Sequence, residues 1–488
     1  MSPAEVIAAE RLGGATNGAA ANRDDEPDWD DMPGDEFFEG DPQPSHVRVS
    51  AEAMFARGDH VDIAEHYATT LAPAGEAVHD EGATYVYERA RGLFVALDDA
   101  AESCSVQRYA GIPAGPKSKP LELSASDVSG TLKLARARLA SRRFFSDAPA
   151  GLAFEDGFVV ATEEGAHRVA HSAEHRARHG FAFAFAGASE PRRFLTMLRE
   201  VFEPDDDREE KIARIQELGG ASLTGIATRY QKCVVFTGDG ANGKSAVIRI
   251  IESAMPAGSV VSIPPQRWGN EYRRAALATA LLNVVSELPE SDILDAEIFK
   301  AIVTGDMIDA REIYKPPFMI SPKAGHLFAA NRLPGANDTT LGFWRRFDVL
   351  PYNRRFEGTA ANPRIAEDII AAERPIIVRW LVQGAVRVLA QRGYSTPASS
   401  AEAVQAWRRG ANPVAIFAEE CTRSCRGGEP GTKAALLYRH FCSWCERNGH
   451  RAMSSTKFGM RMKELGKGAE KTPDANLYQV VVTGGGET

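Results

Sequence analysis

Residues 234–251, VVFTGDGANGKSAVIRII, constrain the possible fold of this chain more than any other stretch. An apolar run gives way to Gly238, Gly240 and Gly243, and then to apolar residues at helical spacing: Val247, Ile248, Ile250 and Ile251. The pattern predicts a strand over 232–237, a tight loop, and a helix from about Gly243. In that context Gly238, Gly243, Lys244 and Ser245 meet the GxxxxGK[ST] template. A loop of this kind curls so that successive N–H groups point at phosphate oxygens, and the helix that follows adds the positive end of its dipole. The expected cradle is Gly238, Asp239, Gly240, Ala241, Asn242, Gly243, Lys244 and Ser245, with the Lys244 ammonium on the β and γ phosphates and the Ser245 hydroxyl on Mg²⁺.

A phosphate cradle does not by itself name a reaction. Hydrolysis needs a carboxylate at the end of a neighbouring strand, to hold metal or polarise water, and a polar residue that senses the γ-phosphate. LLNVVSELPE (281–290) reads as an apolar strand ending at Glu287, and GHLFAANRLP (325–334) as another ending at Asn331. Between them, alternation at Met307, Ile308, Arg311 and Ile313, and then at Phe318, Met319 and Ile320, brackets Lys315-Pro316-Pro317 and predicts two strands joined at a basic turn. Arg345 and Arg346 follow Asn331 by about fourteen residues, flanked by Trp344 and Phe347, which suggests a packed edge.

The segments GDGANGKS, VVSELPE, IFKAIVTGDMIDAREIYKPPF, HLFAANRLP and FWRRFDVLPY, in this order over 233–356, resemble superfamily 3 helicases, and most of all the helicase half of phage and poxvirus primase-helicases. The resemblance implies an α/β fold with an AAA+-like P-loop ATPase core. It also implies a homo-hexameric ring, ATP and Mg²⁺ as cofactors, and movement along single-stranded DNA at a replication fork or origin. Lys244 and Ser245 match the phosphate and Mg²⁺ binders, Glu287 the acid that serves metal or water, and Asn331 the sensor. Arg345 or Arg346 matches a finger that reaches the neighbouring subunit's γ-phosphate. Many members place two acids side by side where this chain has Glu287 and Leu288, with the next acid at Glu290. In the family the basic hairpin projects into the ring's channel, which makes Lys315 and Lys323 phosphate contacts, with Tyr314 or Phe318 stacking on bases. Lys300 and Arg311 match basic positions of the same motif, or pair with Asp306 or Asp309.

Charge is unevenly distributed. The net charge of −9 arises entirely in residues 1–50, where twelve acids face three arginines; the rest of the chain is balanced. That stretch is expected to be an acidic disordered tail. No apolar run approaches the roughly 18 residues of a membrane helix, so no membrane partner and a cytoplasmic location are expected. Six cysteines in 488 residues are too few for a disulfide framework.

Four further regions follow. Residues 51–187 are expected to form an α+β N-terminal accessory domain, with a helix at VDIAEHYATTL and a hairpin turning near Arg91-Gly92. The helicase domain with a helical collar spans 188–358, and a helical connector spans 359–410. Residues 411–488 read as helix, turn, helix and strand, the order of a winged helix. Over 431–471 nine basic side chains face three acidic ones, and Lys457, Arg461 and Lys463 on the second helix are candidates to track a DNA backbone. His167, His171, His175 and His179 recur every fourth residue, but without an apolar face or flanks that favour a helix. Cys421, Cys425, Cys442 and Cys445 invite a zinc reading, against which stands the position of the last two in an apolar helix pattern. No strand pattern surrounds the tail's acids, so a separate primase is the expected partner for priming. The alternatives are a replication initiator that uses ATP as an assembly switch, and a regulatory ATPase acting on proteins.

Overall fold

The computed structural model describes residues 55–73, 75–187, 190–288, 296–334, 340–356, 362–427, 429–450, 452–473 and 475–483. All belong to the unit Pro44–Thr488. The acidic tail and Glu290 lie outside the described residues.

Asp59 opens the first helix, α1 (His60–Leu71), by accepting from the Val61 and Asp62 amides, and its apolar stripe of Ile63, Ala64, Tyr67 and Ala68 is buried. A meander of β1 (Ala77–Asp80), β2 (Ala83–Glu88) and β3 (Leu93–Ala96) follows, with Glu88 opposite Leu93, so the expected turn falls beside Gly92. Next come α2 (Asp99–Gln107), a short hairpin of β4 (Pro113–Ala114) and β5 (Lys119–Pro120), and α3 (Ala125–Leu139). The last of these starts at a reciprocal Ser124/Asp127 capping box. These helices share a core built on Ile63, Tyr67, Val106, Tyr109, Val128 and Leu132.

A second meander, β6 (Gly151–Phe154), β7 (Gly157–Ala161) and β8 (Ala166–Val169), belongs elsewhere: Leu152, Phe154 and Val159 join the core of the segment that follows. The four histidines share no helical stripe. His167 lies on β8, His175 stacks on Phe158 at 4.2 Å, and the His179 Nε2 donates to the Thr279 carbonyl at 2.7 Å.

Helices α4 (Arg192–Val201) and α5 (Arg208–Leu223), in the region where a helical collar is expected, lead into a five-stranded parallel sheet. Its elements in chain order are β9 (Cys233–Thr237), α6 (Lys244–Ser253), β10 (Val260–Val261), α7 (Glu271–Arg274), β11 (Leu282–Val285), α8 (Ala296–Thr304), the hairpin β12 (Ile308–Ala310) and β13 (Phe318–Ile320), β14 (Gly325–Ala330), α9 (Leu341–Trp344) and β15 (Phe347–Pro351). The spatial order is β10-β11-β14-β9-β15, with the hairpin a separate antiparallel pair. Strands β9, β11 and β14 are apolar along nearly their whole length because helices and loops cover both faces of the sheet.

The segment expected to be a connector is packed into this core. Helix α10 (Ile365–Gln391) lies along α5 at a distance only glycine permits: a Cβ on Gly220 would sit 2.0 Å from the Leu381 carbonyl oxygen, and one on Gly384 2.3 Å from that of Gln216. Buried Glu373 on α10 accepts from the Arg193 and Phe194 amides at 2.9 and 3.0 Å, capping α4, whose own N-cap is a proline. Helix α11 (Ala398–Gly410) places Trp407 against Trp344 and Phe347, covering the other side of the sheet. Residues 365–410 are therefore part of the sheet's helical cover, which their long-range partners decide and their local pattern does not reveal.

The C-terminal segment contains α12 (Pro413–Glu420), β16 (Thr422–Ser424), β17 (Thr432–Lys433), α13 (Ala434–Arg447), α14 (Ser455–Glu464), β18 (Ala469–Lys471), β19 (Asn476–Tyr478) and β20 (Val480–Val482). Phe417, Leu437, Phe441, Phe458 and Met462 make its core. The expected single strand NLYQVVV divides at Gln479: β19 pairs with β17 and β18, whereas β20 pairs with β16. Cys445 is buried in this core, and burial pushes its thiol up to about 11. Among the described residues no three His, Cys, Asp or Glu side chains gather as a metal site would require, and no helix is long and apolar enough to cross a membrane.

Candidate active site

Three parallel neighbours end at one edge of the sheet. Ala330 of β14 is level with Thr237 of β9, and Val285 of β11 with Phe328 of β14. The glycine loop follows β9, Asn331 follows β14, and Ser286 and Glu287 follow β11, so one sheet edge gathers all three. A cavity of about 340 Å³ is lined there by the loop from Gly240 to Ala246 together with Ser286, Glu287, Ala330 and Asn331. Ligands of open α/β sheets bind outside the carboxyl ends of the strands for this reason.

The loop's shape depends on its glycines. Gly238 has φ 141°, and a Cβ there would lie 2.5 Å from the Tyr352 carbonyl oxygen; Gly243 has φ 87°, and a Cβ would lie 2.8 Å from Val201 Cγ2. Gly243 is also the N-cap of α6 and brings no capping side chain of its own; the Lys244 amide makes a long contact with Asn242 Oδ1 at 3.5 Å, one that an anion at the helix start can displace. Lys244 is buried, and its Nζ donates to the Gly238 carbonyl at 2.5 Å, to Asn242 Oδ1 at 3.2 Å and to the Asp239 carbonyl at 3.4 Å. Burial holds its pKa below the ordinary lysine value. Gly238 and Asp239 thus face the lysine and are not part of the cavity wall.

The brace behind the loop was not evident from sequence. Asn242 Nδ2 donates to the Tyr352 carbonyl at 3.4 Å, and the Phe356 amide donates to the Ala241 carbonyl at 2.7 Å, so the chain leaving β15 props the loop from outside. The signal that could have found it is the apolar run FDVLPY continuing past the strand. Ser245 and Glu287 are both exposed and line the same cavity. A hydroxyl and a carboxylate are the hard oxygen donors that suit Mg²⁺, so the residues present fit that ion.

The two arginines differ sharply. Arg346 is buried and donates to the Gly342 carbonyl and, at 3.0 Å, to Thr304 Oγ1. Arg345 is exposed, with one guanidinium nitrogen 2.7 Å from Gln231 Oε1. It precedes β15, whose Phe347 is level with Cys233 at the start of β9. Five residues of strand, roughly 15 Å, separate this edge from the edge that bears the cavity. Arg345 therefore does not join the cavity of its own chain.

At the hairpin, Ala310 and Phe318 are the last paired residues and 311–317 form the tip. Tyr314 there is fully exposed, with φ 64°. Lys315 is held by Asp99 Oδ2 at 2.7 Å and Glu312 Oε2 at 2.8 Å, and these carboxylates raise its pKa. Lys323 lies apart from the tip. Its Nζ donates to the Phe145 carbonyl at 2.6 Å, and burial brings its pKa down to about 8, so in this structure it faces the accessory segment and not the hairpin's open side. Arg311 donates to the Lys315 carbonyl and pairs with Glu271 at 3.8 Å, Asp309 pairs with Arg274 at 2.7 Å, and Lys300 reaches Thr340 Oγ1 at 3.4 Å. On α14, Lys457 and Lys463 are exposed, while Arg461 is tied to Glu464 at 2.9 Å.

Comparison with known proteins adds family context. A family described as "Family of unknown function (DUF5906)" matches residues 236–346, from the end of β9 before the glycine loop to Arg346. A second, described as "Poxvirus D5 protein-like", matches residues 409–476. A helicase candidate of Acanthamoeba polyphaga mimivirus is 28% identical over 132 residues, and one of Invertebrate iridescent virus 6 is 27% identical over 146 residues. These alignments take in 25% and 27% of this chain but only 13% and 15% of the relatives' own length. Among solved structures, the A form apo structure of the NrS-1 C-terminal region overlaps 72% of this chain and 75% of its own, with a TM-score of 0.44 and 11% identity. A further apo structure of that region covers 87% of this chain and 99% of its own, with a TM-score of 0.41 and 10% identity. By its ordered motifs and the viral relatives it matches, the chain is similar to the superfamily 3 helicases of phage and poxvirus primase-helicases.

Proposed function

We propose that the chain is an ATP-dependent DNA helicase of viral or mobile-element replication that works as a ring, most simply a homo-hexamer, on single-stranded DNA. One observation supports this reading: the glycine loop, the acid and the asparagine share one sheet edge and one cavity, while exposed Arg345 stands at the opposite edge, outside that cavity, as a finger offered to a neighbouring copy would.

In the reading, the Lys244 ammonium exchanges the carbonyls of Gly238 and Asp239 for β and γ phosphate oxygens of ATP. Ser245 and Glu287 would hold Mg²⁺, which neutralises charge on those oxygens. Glu287 accepts a proton from the attacking water, and Asn331 orients that water or the γ-phosphate. Arg345 supplies the positive charge that an arginine finger brings to the transition state of the next copy, an effect of about 10³–10⁵ in rate. Hydrolysis then depends on assembly. Lys315 at the hairpin tip contacts the strand once it leaves Asp99, and the C-terminal segment serves as a winged helix with Lys457 and Lys463 towards DNA. Arg461, committed to Glu464, has the weaker claim.

The test is ATPase rate with and without single-stranded DNA for the parent chain, Lys244→Ala and Lys315→Ala. The reading expects turnover to vanish in the first and stimulation by DNA alone to vanish in the second. Full turnover by a solitary chain, indifferent to DNA, would overturn it.

A further inference from the structure

A second cavity is larger than the proposed nucleotide site. A cleft of about 1220 Å³ lies between the accessory segment and the β12–β13 hairpin. That exceeds the roughly 300–1,000 Å³ of small-molecule pockets. One wall comes from α2, α3 and the loop after α3, the other from the hairpin tip and β13. The cleft's cations are Lys133, Arg136, Arg142, Arg143 and Lys315, and its acids are Asp80, Glu81 and Asp99.

The acids are largely committed. Glu81 is only 4% exposed and bound to Arg178 at 2.5 Å, and Asp99 is shared by Arg136 and Lys315 at 2.6 and 2.7 Å. Lys133, Arg142 and Arg143 are exposed, and Arg143 makes a long ion pair with Asp147 at 3.5 Å. Five cations and three acids line the cleft; Arg136 and Lys315 also pair with Glu102 and Glu312 beside it, so the exposed Lys133, Arg142 and Arg143 form its basic side, and across from it Tyr314 stands fully exposed on the hairpin. A groove of cations opposite an open aromatic ring is how proteins hold single-stranded nucleic acid without reading its sequence.

We propose that this cleft is a second stretch of the single-strand path, in which Lys133, Arg142 and Arg143 contact phosphates and Tyr314 stacks on a base. The Asp99–Lys315 contact closes the cleft, and a polyanion entering it competes with Asp99 for the lysine. This assignment rests on the DNA-directed reading above and extends it to the accessory segment.

The test is fluorescence anisotropy of labelled oligo(dT) with the full chain, across a salt series. A Lys133→Glu/Arg142→Glu/Arg143→Glu variant should bind at least about tenfold more weakly and lose about 2 from the slope of log affinity against log salt. Asp99→Asn should bind more tightly, which a general disturbance of the domain would not produce. Circular dichroism and the thermal midpoint verify the fold of each variant. If the triple variant binds as the parent does while Lys315→Ala does not, the cleft assignment fails and the proposed function stands. A parent that binds no single strand overturns both, and weaker binding by both the triple variant and Asp99→Asn overturns the cleft assignment.

Discussion

Asp348 offers the sharpest test of how the sheet is held in place. It lies on β15 at 1% exposure and uses both carboxylate oxygens, accepting from Arg214 Nε at 2.8 Å and from Lys232 Nζ at 2.7 Å. Arg214 has a fully buried side chain over the Tyr394 ring at 3.9 Å, and its two terminal nitrogens have no hydrogen-bond partner among the described residues. Lys232 is 25% exposed and can turn to solvent; Arg214 cannot. Asp348→Ala thus strands a buried guanidinium, a loss of about 3–5 kcal/mol. Against the roughly 5–15 kcal/mol that holds a domain folded, that is about a fifth of the total or more. For a core of this size it lowers the thermal midpoint by roughly 6–20 °C. Replacing both ions, as Arg214→Met with Asp348→Leu, should restore most of the loss, because the pair's attraction mainly offsets its own desolvation. Scanning calorimetry and urea titration followed by tryptophan fluorescence measure both variants. A single variant within about 1 kcal/mol of the parent would refute the argument. So would a double variant as unstable as the single one.

Other expectations concern the site directly. Gly243→Ala forces a side chain into φ 87° and to 2.8 Å from Val201 Cγ2, so binding of a fluorescent ATP analogue should weaken at least tenfold by titration, with the fold retained by circular dichroism. Arg345→Ala should leave the thermal midpoint unchanged and lower turnover by about 10³ or more, whereas Arg346→Ala, which removes a buried side chain bonded to Thr304, should lower the midpoint itself. His326 is buried beside Trp268 and Phe328, and desolvation lowers its pKa to about 3. Because the folded pKa lies below the unfolded one, the unfolded chain binds more protons between about pH 3 and 6.5, and stability falls as pH drops through that window. From pH 7 to pH 5 the loss attributable to His326 is about 2 kcal/mol, read as a shift in urea midpoint that His326→Gln should reduce.

The glycine loop with its flanking strand and helix, the two strands that lead to Glu287 and Asn331, and the hairpin that carries Lys315 were all legible in sequence. Each is a local pattern: alternation or helical spacing bounded by glycine and proline. Sequence spacing also nominated Arg345 and Arg346 together, since adjacent arginines look alike in one dimension. What separated them was burial, with Arg346 turned onto Thr304 inside the chain and Arg345 left outside. The role of residues 365–410 was illegible for a related reason. Gly220 and Gly384 are ordinary helical glycines until α5 and α10 are laid together.

What the sequence determined by itself, then, was the set of short-range elements and which residues stand at their ends, because backbone preference and apolar periodicity act over a few residues. Tertiary structure alone decided that β14 runs between β9 and β11, which brings Asn331 and Glu287 to the same cavity as Lys244. It alone set Lys315 against Asp99, 216 positions away, across a cleft that neither segment announces. Those outcomes depend on which apolar faces bury one another, and that choice is made by the whole core at once.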